Sequence, residues 1–279
     1  MQFCFVNTEK KGEVNGEADG QESDGNEGSV QHRYFIRLSY KGTGLAGWQR
    51  QDNAPTVQQK LDDALSLILS APIKTKGSGR TDAGVHALLQ VCHFDIDRQI
   101  AEEALVLSLN RLLPKHIAII DIVAVPPTLH ARHSATMRGY IYRMHWAKNP
   151  FLFGVSAFIW PQPDVSLMNE ALQSILGSHD FRSFGKQMPH ETHHRCRVQK
   201  AEWTPSPSAD ELILTIDANR FLRAMVRALV QASIEIGQRK QPPSYIQTCL
   251  AAQLVQIPNA LAPPEGLYLY KVEYSGGNN

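Results

Sequence analysis

The chain has 279 residues, of which 43% are hydrophobic and 20% are charged. This balance suits a globular protein with a sizeable core, and the length allows one large unit or two smaller ones. The formal net charge of +1, taken alone, argues against a strongly basic protein that binds nucleic acid by charge.

The charge is unevenly distributed along the chain. Residues 1–30 carry a net charge of −5, and the rest of the chain carries +6. Residues 7–30 contain few apolar side chains and many Gly, Glu and Asp, so they cannot bury enough surface to offset the entropy of ordering. We therefore predict a disordered acidic tail over residues 1–30, followed by a moderately basic folded body.

The spacing of the cysteines and the hydropathy of the chain indicate the cellular compartment of the protein. The cysteines are widely spaced and form no CxxC pair; they are Cys4, Cys92, Cys196 and Cys249. No apolar run reaches the roughly 18 residues of a membrane helix, and the N-terminus resembles neither a signal peptide nor a transit sequence. These features predict reduced, unpaired thiols in a cytoplasmic protein that does not associate with membranes.

The first half of the body alternates between strand and helix patterns. Arg33–Tyr40 has apolar side chains at every second position, which predicts a strand. Thr56 and Gln59 form a capping box at the start of a helix that Pro72 ends. Further along, we predict a strand at Leu88–Asp95, a helix at Glu102–Leu113 and a strand at Ile117–Val125.

The second half repeats this alternation. Strands are predicted at Arg138–Trp146, Val198–Trp203, Glu211–Ala218 and Leu267–Tyr274, and helices at Ser166–Leu176, Phe221–Gly237 and Tyr245–Leu254. The fold class is therefore α+β, with two similar halves that each pair antiparallel strands under helices on the outside. We place the N-terminal half at residues 31–135 and the C-terminal half at residues 136–279.

The segment Gly77–Ala87, GSGRTDAGVHA, is the most informative for chemistry. Its glycines permit tight turns and a close approach of the backbone to other groups. Such a loop can present the Asp82 carboxylate at the floor of a cleft, with Arg80 two residues away as a charge partner. The alternative is an ordinary turn in which Asp82 caps its own backbone.

Many blocks in this chain occur in the order typical of one enzyme family. GRTDAGVHA (Gly79–Ala87) continues into QVCHFD (Gln90–Asp95). The other blocks are YKGTGLAGWQRQ (Tyr40–Gln51), LNRLLP (Leu109–Pro114), HARHSAT (His130–Thr136), RGYIYRM (Arg138–Met144), HDFRSF (His179–Phe184), NRFLRAMVRALV (Asn219–Val230) and APPEGLYLYKVEY (Ala262–Tyr274). Together they cover most of the body, and the chain resembles the TruA family of tRNA pseudouridine synthases.

The resemblance implies a fold, an activity and a set of site residues. The fold is the pseudouridine synthase fold, two ferredoxin-like or RRM-like halves with the active-site cleft between them. The implied reaction isomerises uridine to pseudouridine at positions 38, 39 and 40 in the anticodon stem-loop of tRNA, without a cofactor or metal. Asp82 corresponds to the catalytic aspartate, Arg80 to its ion-pair partner, Tyr140 to the tyrosine that packs on the target uracil, and Arg223 to a basic residue near the carboxylate. The family also implies a homodimer that shares one tRNA.

Other interpretations of these residues stay open. The spacing of Tyr140 and Tyr142 on one strand face also fits ordinary packing. Arg220, Arg223 and Arg227 are spaced as one stripe on the predicted helix. This stripe fits either contact with RNA phosphate or with the catalytic Asp, or a solvated helix face.

Two other activities also remain open. The chain could be a catalytically idle tRNA-binding protein on the same fold. His190, Glu191 and His194 match the HExxH zinc motif, although Pro189 and the absence of a flanking apolar run argue against the helix that this motif needs.

Overall fold

A computed structural model describes residues 31–186, 193–207, 210–253 and 260–275. The predicted tail, together with His190 and Glu191 of the HExxH match, lies outside these residues. The strands are β1 His32–Tyr40, β2 Lys76–Gly77, β3 His86–Ile96, β4 Ile117–Val125, β5 Ala135–His145, β6 Ala157–Phe158, β7 Gly177–Asp180, β8 Arg195–Pro205, β9 Glu211–Ala218 and β10 Leu267–Tyr274. The α-helices are α1 Val57–Leu69, α2 Glu102–Leu112, α3 Val165–Gln173, α4 Met225–Gly237 and α5 Tyr245–Ala252.

The ten strands of the described residues form one sheet. Its order is β4-β1-β3-β10-β5-β9-β8-β7, with β2 paired to β3 and β6 paired to β5. The pairing is mostly antiparallel, which confirms the predicted α+β class. The last strand, β10, lies between β3 and β5, where Leu269 is opposite both Ala87 and Tyr140. The strands predicted as separate sheets are therefore continuous, and they meet beside the GRTDAGVHA loop.

Alternating side chains build the core as predicted. Tyr34, Ile36 and Leu38 of β1 are buried, and they belong to the same apolar cluster as Leu61 and Leu65 of α1. Burying side chains of this size is worth roughly 1.5–3 kcal/mol each.

The C-terminal half is organised around a buried tryptophan. The indole Nε1–H of Trp203 donates to the Ser233 hydroxyl of α4 at 3.2 Å, and the ring contacts Tyr142 edge-on with 6.2 Å between centroids. These contacts join β8, β5 and α4 across one face of the sheet.

Local signals fix the ends of α1. The Gln59 N–H donates to the Thr56 hydroxyl at 3.2 Å, which confirms the predicted N-cap. The helix ends at Leu69 because Ser70 adopts a left-handed conformation with φ of 50°, two residues before Pro72.

The start of α4 is a correction to the sequence prediction. The helix begins at Met225, four residues later than expected, because Ala224 adopts a left-handed conformation with φ of 63°. Tertiary contacts hold the preceding segment in place: the Lys186 N–H donates to the Arg223 carbonyl at 2.8 Å, and Leu222 packs against Gly185. Arg220 and Arg223 therefore precede the helix, and the predicted stripe of three arginines on one helix face is wrong.

Three of the four cysteines fall within the described ranges. Cys92, Cys196 and Cys249 are free thiols. None of the helices that the structure describes has the length and apolar character needed to cross a bilayer.

His93 on β3 anchors the segment that leads into β5. Its Nδ1 atom accepts a hydrogen bond from the Ala131 N–H at 3.2 Å, and its ring contacts His130 with 4.5 Å between centroids. Burial lowers the pKa of His93 to about 4, with the nearby positive charge of Arg33 acting in the same direction. The folded protein therefore holds this imidazole in its neutral form.

We expect the stability of the fold to decrease as pH falls from about 6.5 to about 4, because the unfolded state binds the His93 proton first. Of the other charged groups around the imidazole, Asp95 opposes this effect, whereas Lys76 and His130 add to it. The lowered pKa of His93 changes the free energy of unfolding by up to about 3 kcal/mol over that pH window. Thermal unfolding of the protein and of His93→Asn, which keeps an acceptor for Ala131, measures it. Equal slopes of Tm against pH for the two proteins would exclude His93 as the source.

Candidate active site

The loop between β2 and β3 holds Asp82 through its backbone. The Val85 N–H donates to the Asp82 carbonyl at 3.1 Å and closes a turn. Gly84 within this turn has φ of +78°, and a Cβ atom there would press against Pro264 at 3.0 Å. Only glycine therefore fits this position without strain.

The segment after β1 packs against the same loop. The Trp48 N–H donates to the Thr81 carbonyl at 3.1 Å, and the hydroxyls of Tyr40 and Thr81 share a hydrogen bond of 2.8 Å. Gly47, with φ of +89°, approaches so closely that a Cβ atom would lie 2.4 Å from the Thr81 carbonyl oxygen. These contacts explain why the YKGTGLAGW and GRTDAGVHA blocks occur in one chain.

The Asp82 side chain is 29% exposed and lies near the guanidinium groups of Arg227 and Arg223. The turn is closed by the Asp82 carbonyl instead of its side chain. The interpretation of Asp82 as a residue that caps its own backbone therefore has no support in the geometry.

Two arginines of the α4 region face the carboxylate. Arg227 Nη1 lies 3.6 Å from Asp82 Oδ2, and Arg223 Nε lies 4.0 Å from Asp82 Oδ1. Arg227 is the more buried, with 15% of its side chain exposed against 51% for Arg223. Its Nε–H also donates to the Ala262 carbonyl at 2.7 Å, so the guanidinium is fixed from both sides.

Arg80 does not take the position predicted for it. The structure places Arg227 and Arg223 beside Asp82, and Arg80 forms no ion pair with that carboxylate. Burial lowers the pKa of Arg80, and the positive charges of Arg132 and Arg223 lower it further. Arg80 is therefore an exposed cation whose charged neighbours, Arg132 and Arg223, lie far from it in the sequence.

Tyr140 lies on β5 within the electrostatic reach of Asp82. Burial raises the pKa of Tyr140 to about 12, and the negative charge of Asp82 adds to the shift. Its ring contacts Phe221 edge-on, with centroids 5.2 Å apart. Tyr142, on the same strand face, instead donates its hydroxyl to the Pro263 carbonyl at 3.0 Å. The two tyrosines thus differ: Tyr142 packs in the core, and Tyr140 borders the site.

Sequence reasoning left Arg227 open between a contact with RNA or the catalytic Asp and a solvated face, and it did not single out Arg132. Arg227 lies in the block NRFLRAMVRALV with two other arginines. Spacing on a predicted helix could not distinguish them, because the choice depends on where that helix begins. The HARHSAT block contained Arg132, but nothing in its spacing placed that side chain near Arg80.

The described residues contain no group of three or more His, Cys, Asp or Glu side chains able to hold a metal. In the part of the HExxH region that the structure covers, the ring of His193 contacts Arg220 Nη1 at 3.0 Å. Cys92 is buried in the core, whereas His93 contacts Phe35 on the opposite face of β3, as strand alternation predicts.

Comparison with known proteins gives one consistent result. The profile of a family described as tRNA pseudouridine synthase matches residues 38–133 and 171–275. A protein of Parabacteroides distasonis named tRNA pseudouridine synthase A is 39% identical over 243 residues, which cover 87% of this chain and 96% of that protein. A protein of the same name from Porphyromonas gingivalis is 38% identical over 87% of this chain and 97% of its own length. Another from Chlorobium phaeobacteroides is 36% identical over 88% of this chain and 94% of its own length.

Proposed function

The chain belongs to the family of tRNA pseudouridine synthases and is an isomerase that acts on tRNA, and on this premise we propose that it converts the uridines at positions 38, 39 and 40 of the anticodon stem-loop to pseudouridine, with Asp82 as the catalytic residue. The observation that carries the proposal is the position of the Asp82 carboxylate, partly exposed between Arg227, Arg223 and Tyr140.

The reaction is balanced within the substrate. The N1–C1′ glycosidic bond breaks, the uracil turns, a C5–C1′ bond forms, and the proton leaves C5 while N1 gains one. No oxidant, reductant or energy source enters this balance, so a carboxylate and a proton relay are sufficient. Two routes are open to the Asp82 carboxylate: it can attack C1′ directly, or it can remove a proton from C2′ to give a glycal.

The arginines make the site compatible with RNA. A lone carboxylate would repel the phosphates of the substrate, whereas Arg227 and Arg223 offset its charge. Arg80 and Arg132 are exposed and add positive charge for backbone phosphates, which contribute most of the affinity of a protein for nucleic acid. The target base must leave its stack, which costs a few kcal/mol and is repaid inside the pocket.

Tyr140 supplies an aromatic face and a neutral hydroxyl. Because its pKa is raised to about 12, the phenol keeps its proton at neutral pH. It can therefore stack on the detached uracil and donate a hydrogen bond. It can relay the C5 proton only if it passes its own proton to a neighbour, and Asp82 is the nearest acidic group acting on it.

We expect Tyr140→Phe to lower the single-turnover rate of tritium release from 5-tritiated uridine in tRNA by about 100-fold. The phenyl ring keeps the stacking surface, but the hydroxyl needed for proton transfer is lost. Tyr142→Phe is the matched control, since it removes a hydroxyl from the same strand face that bonds only to Pro263 in the core. Equal rates for Tyr140→Phe and Tyr142→Phe would limit Tyr140 to a packing role.

Several further properties belong to the same proposal. The resemblance to the family supports a homodimer that holds one tRNA across two clefts, which sedimentation of the full chain with and without tRNA tests. It also supports the division into a half at residues 31–135 that carries Asp82 and a half at residues 136–279. A cytoplasmic location follows from the tRNA substrate.

The proposed reaction is tested by incubating the purified chain with tRNA transcripts that carry tritium at C5 of uridine. Because C5 loses its hydrogen only when the new carbon bond forms, tritium release reports the isomerisation itself. Release with multiple turnover supports the proposal. Binding of tRNA without release would instead identify a catalytically idle tRNA-binding protein.

A further inference from the structure

Arg138 makes an unusual set of contacts at the base of the active site. It lies on β5 two residues before Tyr140, so both side chains lie on the same face of the strand. Its guanidinium donates four hydrogen bonds, and every acceptor is a backbone carbonyl. Nη1 donates to Ala135 at 2.8 Å and Asn219 at 3.2 Å, and Nη2 donates to Ser78 at 3.1 Å and also to Arg132.

These carbonyls belong to three separate segments of the chain. Ser78 begins the loop that carries Arg80 and Asp82. Arg132 belongs to the segment that leads into β5 and is itself one of the cations near Arg80. Asn219 begins the segment between β9 and α4 that carries Phe221 and Arg223. One side chain therefore links the segments that carry Asp82, Arg132 and Arg223.

An arginine is chemically suited to this position. Its planar guanidinium presents five N–H donors in a fixed arrangement, so it can reach carbonyls on opposite sides at once. A lysine ammonium carries three donors on one atom and cannot span the same acceptors. Arg33 differs from Arg138 in having a carboxylate partner. Its guanidinium donates to the Asp95 carboxylate as well as to the carbonyls of Pro127 and Leu129.

The charge of Arg138 is not offset by a carboxylate in contact with it in the part of the chain that the structure describes. Burial lowers its pKa, but a guanidinium remains protonated near neutral pH. The positive charge is partly buried beside Tyr140, whose pKa it lowers slightly against the larger effect of burial. A cation in this position favours an anionic substrate near the loops that it holds.

We propose that Arg138 is a positioning residue for the isomerisation, which fixes the Asp82 loop, the Arg132 segment and the Arg223 segment relative to one another. This inference rests on the proposed function, because it assigns Arg138 a role in the reaction at Asp82. A displacement of about 1 Å among catalytic groups can cost about 100-fold in rate without loss of binding. The effect of Arg138 is therefore expected in the rate at saturating tRNA.

The test uses Arg138→Lys in the full chain, with Arg98→Lys as the matched control. Both substitutions keep the charge and remove an arginine that donates to a backbone carbonyl, but Arg98 follows β3 and donates to the Leu69 carbonyl at the end of α1. We expect Arg138→Lys to lower the single-turnover rate of tritium release by about 100-fold. The Kd for tRNA should change by less than about threefold, because the phosphate-binding side chains remain. Arg98→Lys should keep the rate of the parent protein within about threefold, as expected for a half-exposed residue away from the chemistry.

The outcomes separate positioning from other roles. Thermal unfolding of each variant sets an assay temperature at which it is fully folded. A folded Arg138→Lys protein with an unchanged rate overturns the proposal, as does a loss confined to Kd. If Arg138→Lys does not fold, Arg138→Gln is measured in its place, and failure of both to fold shows a purely structural role and also overturns the proposal. If the parent protein releases no tritium, the proposed function itself fails, which the same assay reveals first.

Discussion

Replacing Asp82 by alanine is expected to lower the rate of pseudouridine formation by at least about 10⁴-fold, the loss typical for a group that acts directly on the reacting bonds. The surrounding loop should remain in place, because its turn is closed by the Asp82 carbonyl and its neighbours are held by Trp48 and Tyr40. The binding of tRNA should persist, since Arg80 and Arg132 are unchanged. Tritium release and a filter-binding measurement of Kd on the same preparation report the two quantities separately.

The matched control for this substitution is Asp63→Ala on α1. Asp63 forms an exposed ion pair with Arg50 at 3.0 Å, and such pairs contribute at most about 1 kcal/mol to stability. Its removal should leave the rate unchanged. Asp82→Asn adds a variant of the same size that lacks only the charge, and it should be as inactive as Asp82→Ala. Activity of either Asp82 variant at the level of Asp63→Ala would remove Asp82 from the mechanism.

Replacing Arg227 by methionine is expected to cost about 100-fold in the single-turnover rate. Arg227 is the nearer and more buried cation at Asp82, and its guanidinium is also fixed by the Ala262 carbonyl. Methionine keeps much of the apolar volume but leaves the carboxylate without its closest charge partner. The carboxylate then becomes free to shift, and its orientation toward C1′ is lost.

Arg223→Met is the matched comparison for Arg227→Met. Arg223 lies 4.0 Å from the same carboxylate but is half exposed, so its charge is screened by solvent. We expect a loss of no more than about fivefold for Arg223→Met. A larger loss for Arg223→Met than for Arg227→Met would reverse the assignment and make Arg223 the principal charge partner of Asp82. Rates at saturating tRNA for the two variants decide between them.

Much of the fold could be predicted from the sequence because its signals are local. The strand at Ile117–Val125 and the strand at Glu211–Ala218 have the predicted bounds, since β-branched runs and turn residues define them. The N-cap at Thr56 followed from a four-residue pattern. What could not be predicted is the insertion of β10 between β3 and β5, because strand order depends on contacts between residues far apart in the chain.

The candidate site was predictable to a similar extent and for the same reason. Asp82 and Tyr140 are carried by distinctive blocks, so each could be identified without knowing the fold. Which arginine lies closest to Asp82 could not be predicted, because the choice depends on the left-handed turn at Ala224. Contacts of Lys186 with Arg223 and of Gly185 with Leu222 accompany that turn. Proximity in sequence favoured Arg80 as the partner, whereas the fold brings α4 and Arg227 to the carboxylate.

The role of Arg138 illustrates a further limit of local patterns. In sequence it is a polar residue that precedes two tyrosines in a strand, and nothing in that pattern identifies its acceptors. The acceptors are backbone carbonyls at positions 78, 132, 135 and 219, which no side-chain pattern marks. Only the assembled sheet brings them within reach of one guanidinium.

The central claim is that this chain forms pseudouridine in the anticodon arm through Asp82. The most direct measurement maps pseudouridine at single-nucleotide resolution in a tRNA transcript with uridine at positions 38, 39 and 40, after incubation with the purified protein or with Asp82→Ala. We predict modification at those three positions with the parent protein and none with the variant. Modification confined to other positions, or equal modification by Asp82→Ala, would contradict the account.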